Sequence, residues 1–376
     1  MINTSGELSI ENNESTPLTL ASTSVDHLPR TRSSQPAANN QFAELKRLLK
    51  NDGLLDKQPV YYTGRIVLLS ILLLAGVIFY LAVNVFWLQL LNAVFLAIVF
   101  TQIGLLSHEA GHRQMFHRSW KHDLVSLIGG NLFLGMSYAW WLDKHNSHHS
   151  HPNQMDMDPD IVIPFMDFTG KEDLSRIGKF RQFLVKHQAS ILLPALMTVS
   201  AGLQYDSVKF LLRGRAKYPV LEWFLMIAHF VLYFAFIFSR FTFWQAALFL
   251  LLHQALSGLY LGSVFAPNHK GMLILDKDSD MDFLHRQVLT SRNIYAHPVT
   301  DFLYGGLNYQ IEHHLFPSMP RNKLKEAQKI IKAFCHTHAI PYHETTTLRS
   351  FQEILQYLYH IGDELRKPRV LVSGER

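Results

Sequence analysis

The chain has 376 residues, with 35 Lys and Arg against 30 Asp and Glu and a formal charge of +5. So small a surplus, set among long apolar runs, argues against a nucleic-acid partner, because basic residues beside such runs face anionic lipid and mark the cytoplasmic side. The single cysteine, Cys335, excludes an internal disulfide and reads as a small buried residue on a helix.

Residues 1–51 are rich in Ser, Thr, Asn and Gln, without a sustained apolar period before Phe42, and are expected to be mostly disordered. No apolar core follows the start, so this stretch does not read as a cleaved signal peptide. A short helix is predicted over 42–49, with Leu45, Leu48 and Leu49 on one side. Crossing a hydrocarbon core of about 30 Å takes roughly 20 residues at about 1.5 Å each. Residues 65–83 and 86–106 meet that length and form a first hairpin with a tight turn. Seven basic residues (Arg30, Arg32, Lys46, Arg47, Lys50, Lys57 and Arg65) precede it, which places the N-terminus in the cytoplasm.

Residues 123–142 are apolar but broken by Gly129, Gly130, Asn131 and Gly135, so they are expected to be interfacial or re-entrant. The polar stretch from Lys144 contains MDMDPD, and the apolar run 191–203 is too short to span and suits the interface. A second hairpin is predicted over 219–238 and 243–266, with Arg240 the only charge between its spans. From Pro267 the chain is expected to be cytoplasmic, with QIEHH in a turn-rich segment and amphipathic helices over 322–335 and 347–365. No repeat of solenoid period is present. The predicted fold is an all-α membrane protein with four transmembrane helices in two hairpins and a cytoplasmic helical cap. Its parts are a tail over 1–57, a membrane domain over 58–340 and a C-terminal helix over 341–376.

The 21 histidines are not scattered evenly. WWLDKHNSHHSHP, residues 140–152, holds His145, His148 and His149, and composition alone would give an H-x-x-H-H pattern only about 0.06 times. His108 and His112 stand in HEAGH, and His313 and His314 in QIEHH. Imidazole is a neutral, strong ligand for iron, copper and zinc, and holding such a metal takes several rings from different elements. On a helix continuing from the second span, residues four apart share a face, so His108 and His112 can act as a pair.

HEAGH is also H-E-x-x-H, the pattern in which two histidines hold zinc and the glutamate, here Glu109, serves as base. A zinc hydrolase needs one further protein ligand and would leave most of His145, His148, His149, His313 and His314 unused. The clusters do not suit ordinary interfacial histidines either, since desolvating adjacent rings without a metal strains the fold for no return. That ordinary role fits His117, His122, His151, His187, His285, His297, His336, His338 and His343.

HEAGH, HNSHH and QIEHHLFP, in this order and with these spans between them, resemble the membrane fatty-acid desaturases over residues 58–321. The resemblance implies histidine boxes holding two irons at the cytoplasmic face of a four-span domain, and the use of dioxygen to remove two hydrogens from an acyl chain. Carried over by position, it implies His108, His112, His145, His148, His149, His313 and His314 as ligands, with His269 of FAPNHKG as an eighth. His269 leaves the membrane on the same side as the boxes. His253 lies sixteen residues earlier, about 24 Å along a continuous helix, and cannot join them.

The third box opens with Gln310 where many members have histidine. An amide coordinates more weakly than imidazole, through its oxygen or a water. Asp158, Asp160, Glu109 and Glu312 read better as groups that orient imidazoles than as ligands. The expected chemistry is the conversion of adjacent methylenes to a cis double bond by dioxygen and two electrons at a di-iron centre. The acyl chain, carried on coenzyme A, carrier protein or a lipid, threads an apolar tunnel in a site that positions it and excludes water. No HPGG haem motif is present, and AHPVT at residues 296–300 is not one, so the electrons are expected from a ferredoxin, flavoprotein reductase or cytochrome b5 type of partner. Arg321, Lys323 and Lys325 are a candidate docking surface for it, or for lipid headgroups. A di-iron hydroxylase or ketolase is the nearest rival, and a non-enzymatic metal or haem carrier is a rival of another class.

Overall fold

The computed structural model describes residues 35–163 and 165–366, and of the tail expected over 1–57 the first 34 residues lie outside the described ones. The first helix, α1 (Gln35–Asn51), is longer than the one predicted over 42–49. Leu45 and Leu49 are fully buried with Leu54 in one cluster, together with residues of the C-terminal half such as Ile311 and Ile331. The stretch is thereby part of the fold, because its apolar side has a partner to bury against.

Among the described residues four helices are long and apolar enough to cross a membrane: α2 (Pro59–Ala82), α3 (Phe86–Gly111), α9 (Pro219–Phe238) and α10 (Phe243–His269). Pro59 and Pro219 start their helices where the missing N–H costs nothing, and Thr242 with Gln245 forms a capping box on α10. The spans 219–238 and 86–106 start as predicted. The second and fourth run past the expected 106 and 266, so that His108 and His269 lie inside helices. Burial separates these helices: 61% of the apolar window of α3 is inside the fold against 17% of that of α2, so α3 is central and α2 faces lipid.

Between the two pairs of spans the chain dips twice. α4 (Ser119–Ser126) continues as a π-helical segment, Leu127–Leu134, which runs back along α3, Ser126 Oγ donating to Ser107 O. At Gly135 the backbone takes φ 64°, a left-handed conformation that favours glycine, and a Cβ there would lie 2.5 Å from the His229 ring. The chain then returns as α5 (Tyr138–Ser150), capped by Ser137 Oγ accepting from Trp140 N. Buried Glu222 of α9 clamps this turn by accepting from Ser137 Oγ at 2.6 Å, Asn131 Nδ2 at 3.2 Å and Ala139 N at 3.3 Å.

After the antiparallel pair β1 (Val162–Ile163) and β2 (Met166–Asp167) and the short α6 (Lys179–Lys186), a second dip follows. α7 (Gln188–Met197) descends beside α10, and α8 (Val199–Leu212) climbs back. Gly258 and Gly262 of α10 allow the approach, a Cβ on Gly258 falling 2.5 Å from Met197 O. Ser200 Oγ donates to Gln254 at 2.7 Å, fifteen residues before His269 and so about 22 Å down α10 from it. The run 191–203 is therefore a helical hairpin reaching well below the histidine end, because glycine-to-backbone contact with α10 supplies the burial that its own length cannot.

The remainder forms a cap. α11 (Phe283–Leu289), β3 (Asn293–Ile294), α12 (Pro298–Leu303), α13 (Gln310–Leu315), a 3-10 turn at Arg321–Lys323, α14 (Leu324–Thr337), β4 (Glu344–Thr345), α15 (Thr347–Ile361) and α16 (Asp363–Arg366) follow in order. β3 and β4 pair in parallel, Asn293 opposite Glu344. QIEHH thus forms a buried helix, α13, rather than a turn. The predicted C-terminal helix breaks at Gly362, and Ile354 and Leu358 pack with Leu192 and Leu196, so the C-terminal part belongs to the same core as the spans.

Candidate metal centre and adjoining cavity

Four helices bring the eight box histidines to one place. α3 gives His108, with His112 as its C-cap; α5 gives His145, His148 and His149; α10 ends on His269; α13 gives His313 and His314. His145 Nε2 lies 3.0 Å from His108 Nε2, 2.8 Å from His112 Nε2 and 3.0 Å from His149 Nε2. One nitrogen each from His108, His112, His145, His149 and His313 falls within 4.8 Å of the others, and His148, His269 and His314 form a second such group. A ring nitrogen can serve one hydrogen bond, as donor or acceptor, so His145 Nε2 cannot satisfy three neighbours. The buried Nε2 atoms of His313 and His314 have no hydrogen-bond partner among the described residues. Lone pairs converging on a cation account for both observations, and the nearly all-imidazole donor set suits iron, copper or zinc.

The outward nitrogens of the second group fix its tautomers. His269 Nδ1 is 3.0 Å from Thr290 O, a carbonyl that can only accept, so Nδ1 carries the proton and Nε2 presents its lone pair inward. Gln287 Nε2 donates to His149 O at 2.9 Å, which turns Gln287 Oε1 to accept from His314 Nδ1 at 2.9 Å. His148 Nδ1 meets both oxygens of Asp158 at 3.0 Å. Each is the arrangement by which a carboxylate or carbonyl orients a metal-binding imidazole.

Burial, with neighbouring imidazoles adding to it, holds His112, His145, His149, His313 and His314 well below the ordinary histidine range, so these rings are neutral. His148 goes the other way: burial pulls it down, but Asp158 and then Asp160 outweigh that and raise it. Asp160, 3.5 Å from His148 Nδ1, is ion-paired with Lys144.

The remaining predicted residues are placed differently. Glu109 lies 3.5 Å from Arg321 Nη1, and Glu312 accepts from Asn293 Nδ2 at 2.7 Å and Tyr342 OH at 2.8 Å. Neither hydrogen-bonds an imidazole among the described residues, and burial raises the Glu312 carboxyl to about 7. Gln310 Oε1 accepts from Asn268 Nδ2, which leaves its amide nitrogen, a donor, 2.8 Å from His269 Nε2. Arg321 is buried, its Nη2 donating to Asp301 O and Phe302 O, and Lys323 is half-buried. The expected basic surface there reduces to Lys325, because backbone carbonyls at the end of α12 draw Arg321 inward. His253 bonds Tyr233 OH within the spans, away from the cluster, and His297 caps α12.

Three contacts had no sequence signal of their own: Gln287, Thr290 and the packing of Gly111. A Cβ on Gly111 would fall 2.0 Å from the Trp141 ring, and Trp141 stacks on His145 at 4.5 Å. The glycine of HEAGH is thus the space in which this tryptophan walls the histidines. Beside them opens a cavity of about 350 Å³, which Trp141 also lines. His108, His145, His148 and His269 line its upper part, and Leu134, Leu203 and Leu261 its lower part.

A histidine-rich cluster that could hold a metal, gathered at the ends of helices long and apolar enough to cross a membrane and beside a largely apolar cavity, suits an integral membrane protein that acts on an apolar substrate. A match to the family described as "Fatty acid desaturase" covers residues 85–346. The chain is 30% identical to the Delta(6)-fatty-acid desaturase fat-3 of Caenorhabditis elegans over 86% of its own length and 75% of that protein's. It is 30% identical to the Delta(8)-fatty-acid desaturase of Euglena gracilis over 85% of itself and 78% of the relative. The acyl-lipid (9-3)-desaturase of Physcomitrium patens is 26% identical over 90% of this chain, which spans 66% of the relative's length. The chain belongs to the fatty acid desaturase family, whose members are oxidoreductases of lipid metabolism.

Proposed function

We propose that the chain is an acyl desaturase that binds two iron ions through His108, His112, His145, His148, His149, His269, His313 and His314. Dioxygen and two electrons from a ferredoxin, flavoprotein reductase or cytochrome b5 type of donor convert a saturated pair of carbons to a cis double bond. Four electrons reduce dioxygen to two waters, two from the donor and two from the carbon–hydrogen bonds. The observation that carries this reading is adjacency: His108 and His145 of one imidazole group and His148 and His269 of the other line one end of a largely apolar cavity.

Bound iron supplies the oxidising power that no side chain has, because an unactivated methylene offers neither an acidic proton nor an electrophilic carbon. The chain's own residues position and shield. Asp158, Thr290 and Gln287 hold His148, His269 and His314 in the ligating tautomer. Trp141 and the apolar walls keep water from the reacting carbons, and the cavity holds the acyl chain against the histidines. Six basic residues before α2, with Arg65 near its start, support a cytoplasmic position for the histidine end and for both termini.

The test is expression in a host of known lipid profile, with new acyl products located by mass spectrometry and iron measured in the purified protein. A product lighter by two hydrogens, dependent on dioxygen, is expected. A product heavier by one oxygen would make the chain a hydroxylase, and metal binding without dioxygen consumption would make it a carrier.

A further inference from the structure

The cavity is not apolar throughout. Lys144 and Lys270 line its histidine end, one on α5 and the other immediately after the last residue of α10. Their charges are handled unequally. Lys144 is ion-paired with Asp160, while Lys270 donates to the backbone oxygen of Asp160 at 2.6 Å and lies 4.4 Å from the centre of the Phe168 ring. Lys270 makes an ion pair with no carboxylate among the described residues. An ammonium has three donors, and one is committed here, so a cation with spare hydrogens faces the cavity beside the histidines.

Below the histidines the cavity walls are mostly small and apolar, with Thr198 and Ser200 among them. Gly104 stands one helical turn below His108 on α3, and a Cβ there would meet Leu134 Cδ1 at 3.3 Å and Leu261 Cδ2 at 3.9 Å. A cavity with one polar end and one apolar end accepts an amphipathic chain in one direction only, since burying a carbonyl without a donor is costly.

We propose that Lys270 is the anchor for the carbonyl end of the acyl group, donating to its ester or thioester oxygen, and that the methyl end runs down towards Gly104 and Leu134. This rests on the desaturase reading above and deepens it. Because Lys270 adjoins His269, the carbons that meet the histidines are those a short, fixed distance from the carbonyl. The bond made is then counted from the carboxyl end, whatever the chain length, and the absence of a side chain at Gly104 keeps open the passage to the chain beyond it.

Saturated and unsaturated chains differing only at the methyl end are supplied to membranes holding the full chain, as acyl-coenzyme A in one arm and as phospholipid in the other. The expected product carries its new bond at a constant position from the carboxyl carbon, and the arm that yields it identifies the carrier. Losing a hydrogen bond from a charged group predicts that Lys270→Met raises KM about 10- to 100-fold with iron content unchanged. Lys270→Arg recovers part of that loss, and Gly104→Leu shifts use towards shorter chains with the same carboxyl-counted position. A bond held at constant distance from the methyl end, an unchanged KM in Lys270→Met, or loss of iron in that variant would overturn the anchor. If the wild-type chain forms no new double bond at all, the desaturase reading falls and the anchor with it.

Discussion

The two imidazole groups share a wall but are held in place differently. The five-ring group contains two pairs spaced four apart on a helix, His108 with His112 and His145 with His149, so helix geometry alone points each pair one way. Its rings rest on one another and on Trp141, and His149 Nδ1 has no hydrogen-bond partner. The three-ring group takes one histidine from each of α5, α10 and α13, and no regular spacing relates them. Each is fixed instead by an acceptor on its outward nitrogen: Asp158, Thr290 and Gln287. Where secondary structure aims the ligands, packing suffices; where it does not, hydrogen bonds take over.

The strongest test of that contrast removes the ring common to most contacts of the first group. His145→Ala is expected to abolish product and to lower bound iron by at least half in metal analysis, since three other nitrogens face His145 Nε2. Retained iron would show that the five-ring group does not hold it. Chelation of the metal from the wild-type protein should lower the midpoint of thermal unfolding, because a ligand bound only by the folded state stabilises it and its removal leaves crowded, buried nitrogens without a partner. An unchanged midpoint would mean that the rings need no cation to stay together.

Asp158→Asn and Gln287→Leu come next. Loss of such an orienting partner typically weakens metal binding about 10- to 100-fold, and both variants should release one iron of two more readily than the other. Equal release of both would show the groups to be a single unit. Stability is affected separately by Glu222→Leu, which strips Ser137, Asn131 and the Ala139 N–H of their acceptor beneath α5. A cost on the order of 2–5 kcal/mol is expected in denaturant unfolding, with Glu222→Gln milder.

Much of this was legible in the sequence, and the parts that were not share a cause. Length and apolarity located the four helices able to span, the histidine boxes stood out against composition, and the breaks at Gly129, Gly130 and Gly135 marked the first dip. The second dip was read as lying at the interface, because α7 and α8 are short and the contact that carries them down belongs to Gly258 and Gly262 on a distant helix. Arg321 was counted as surface because charge usually is; its partners are carbonyls at residues 301 and 302, which no local pattern announces. Gln287 and Thr290 carry no periodicity or motif, and their importance exists only once α11 lies against α5 and α10. Spacing within one element can be read directly, whereas an acceptor delivered from another element cannot.

The smallest expected effect asks how far outward the bracing of the three-ring group extends. His148 leans on Asp158, Asp158 accepts from Asn153 N at 2.7 Å, and Asn153 O accepts from Leu275 N at 2.9 Å. The next residue, Asp276, is ion-paired with Lys171 at the surface. Exposed pairs contribute about 0–1 kcal/mol, because water screens the charges and two long side chains lose freedom. The links inward run through the backbone of Leu275 and Asn153 and the carboxylate of Asp158, none of which bonds Lys171. Lys171→Ala should therefore change unfolding free energy by less than about 1 kcal/mol and leave iron content and product unaltered. A measurable loss of iron in this variant would mean that His148 is positioned from the protein surface, and that the three-ring group is braced well beyond the acceptors it touches.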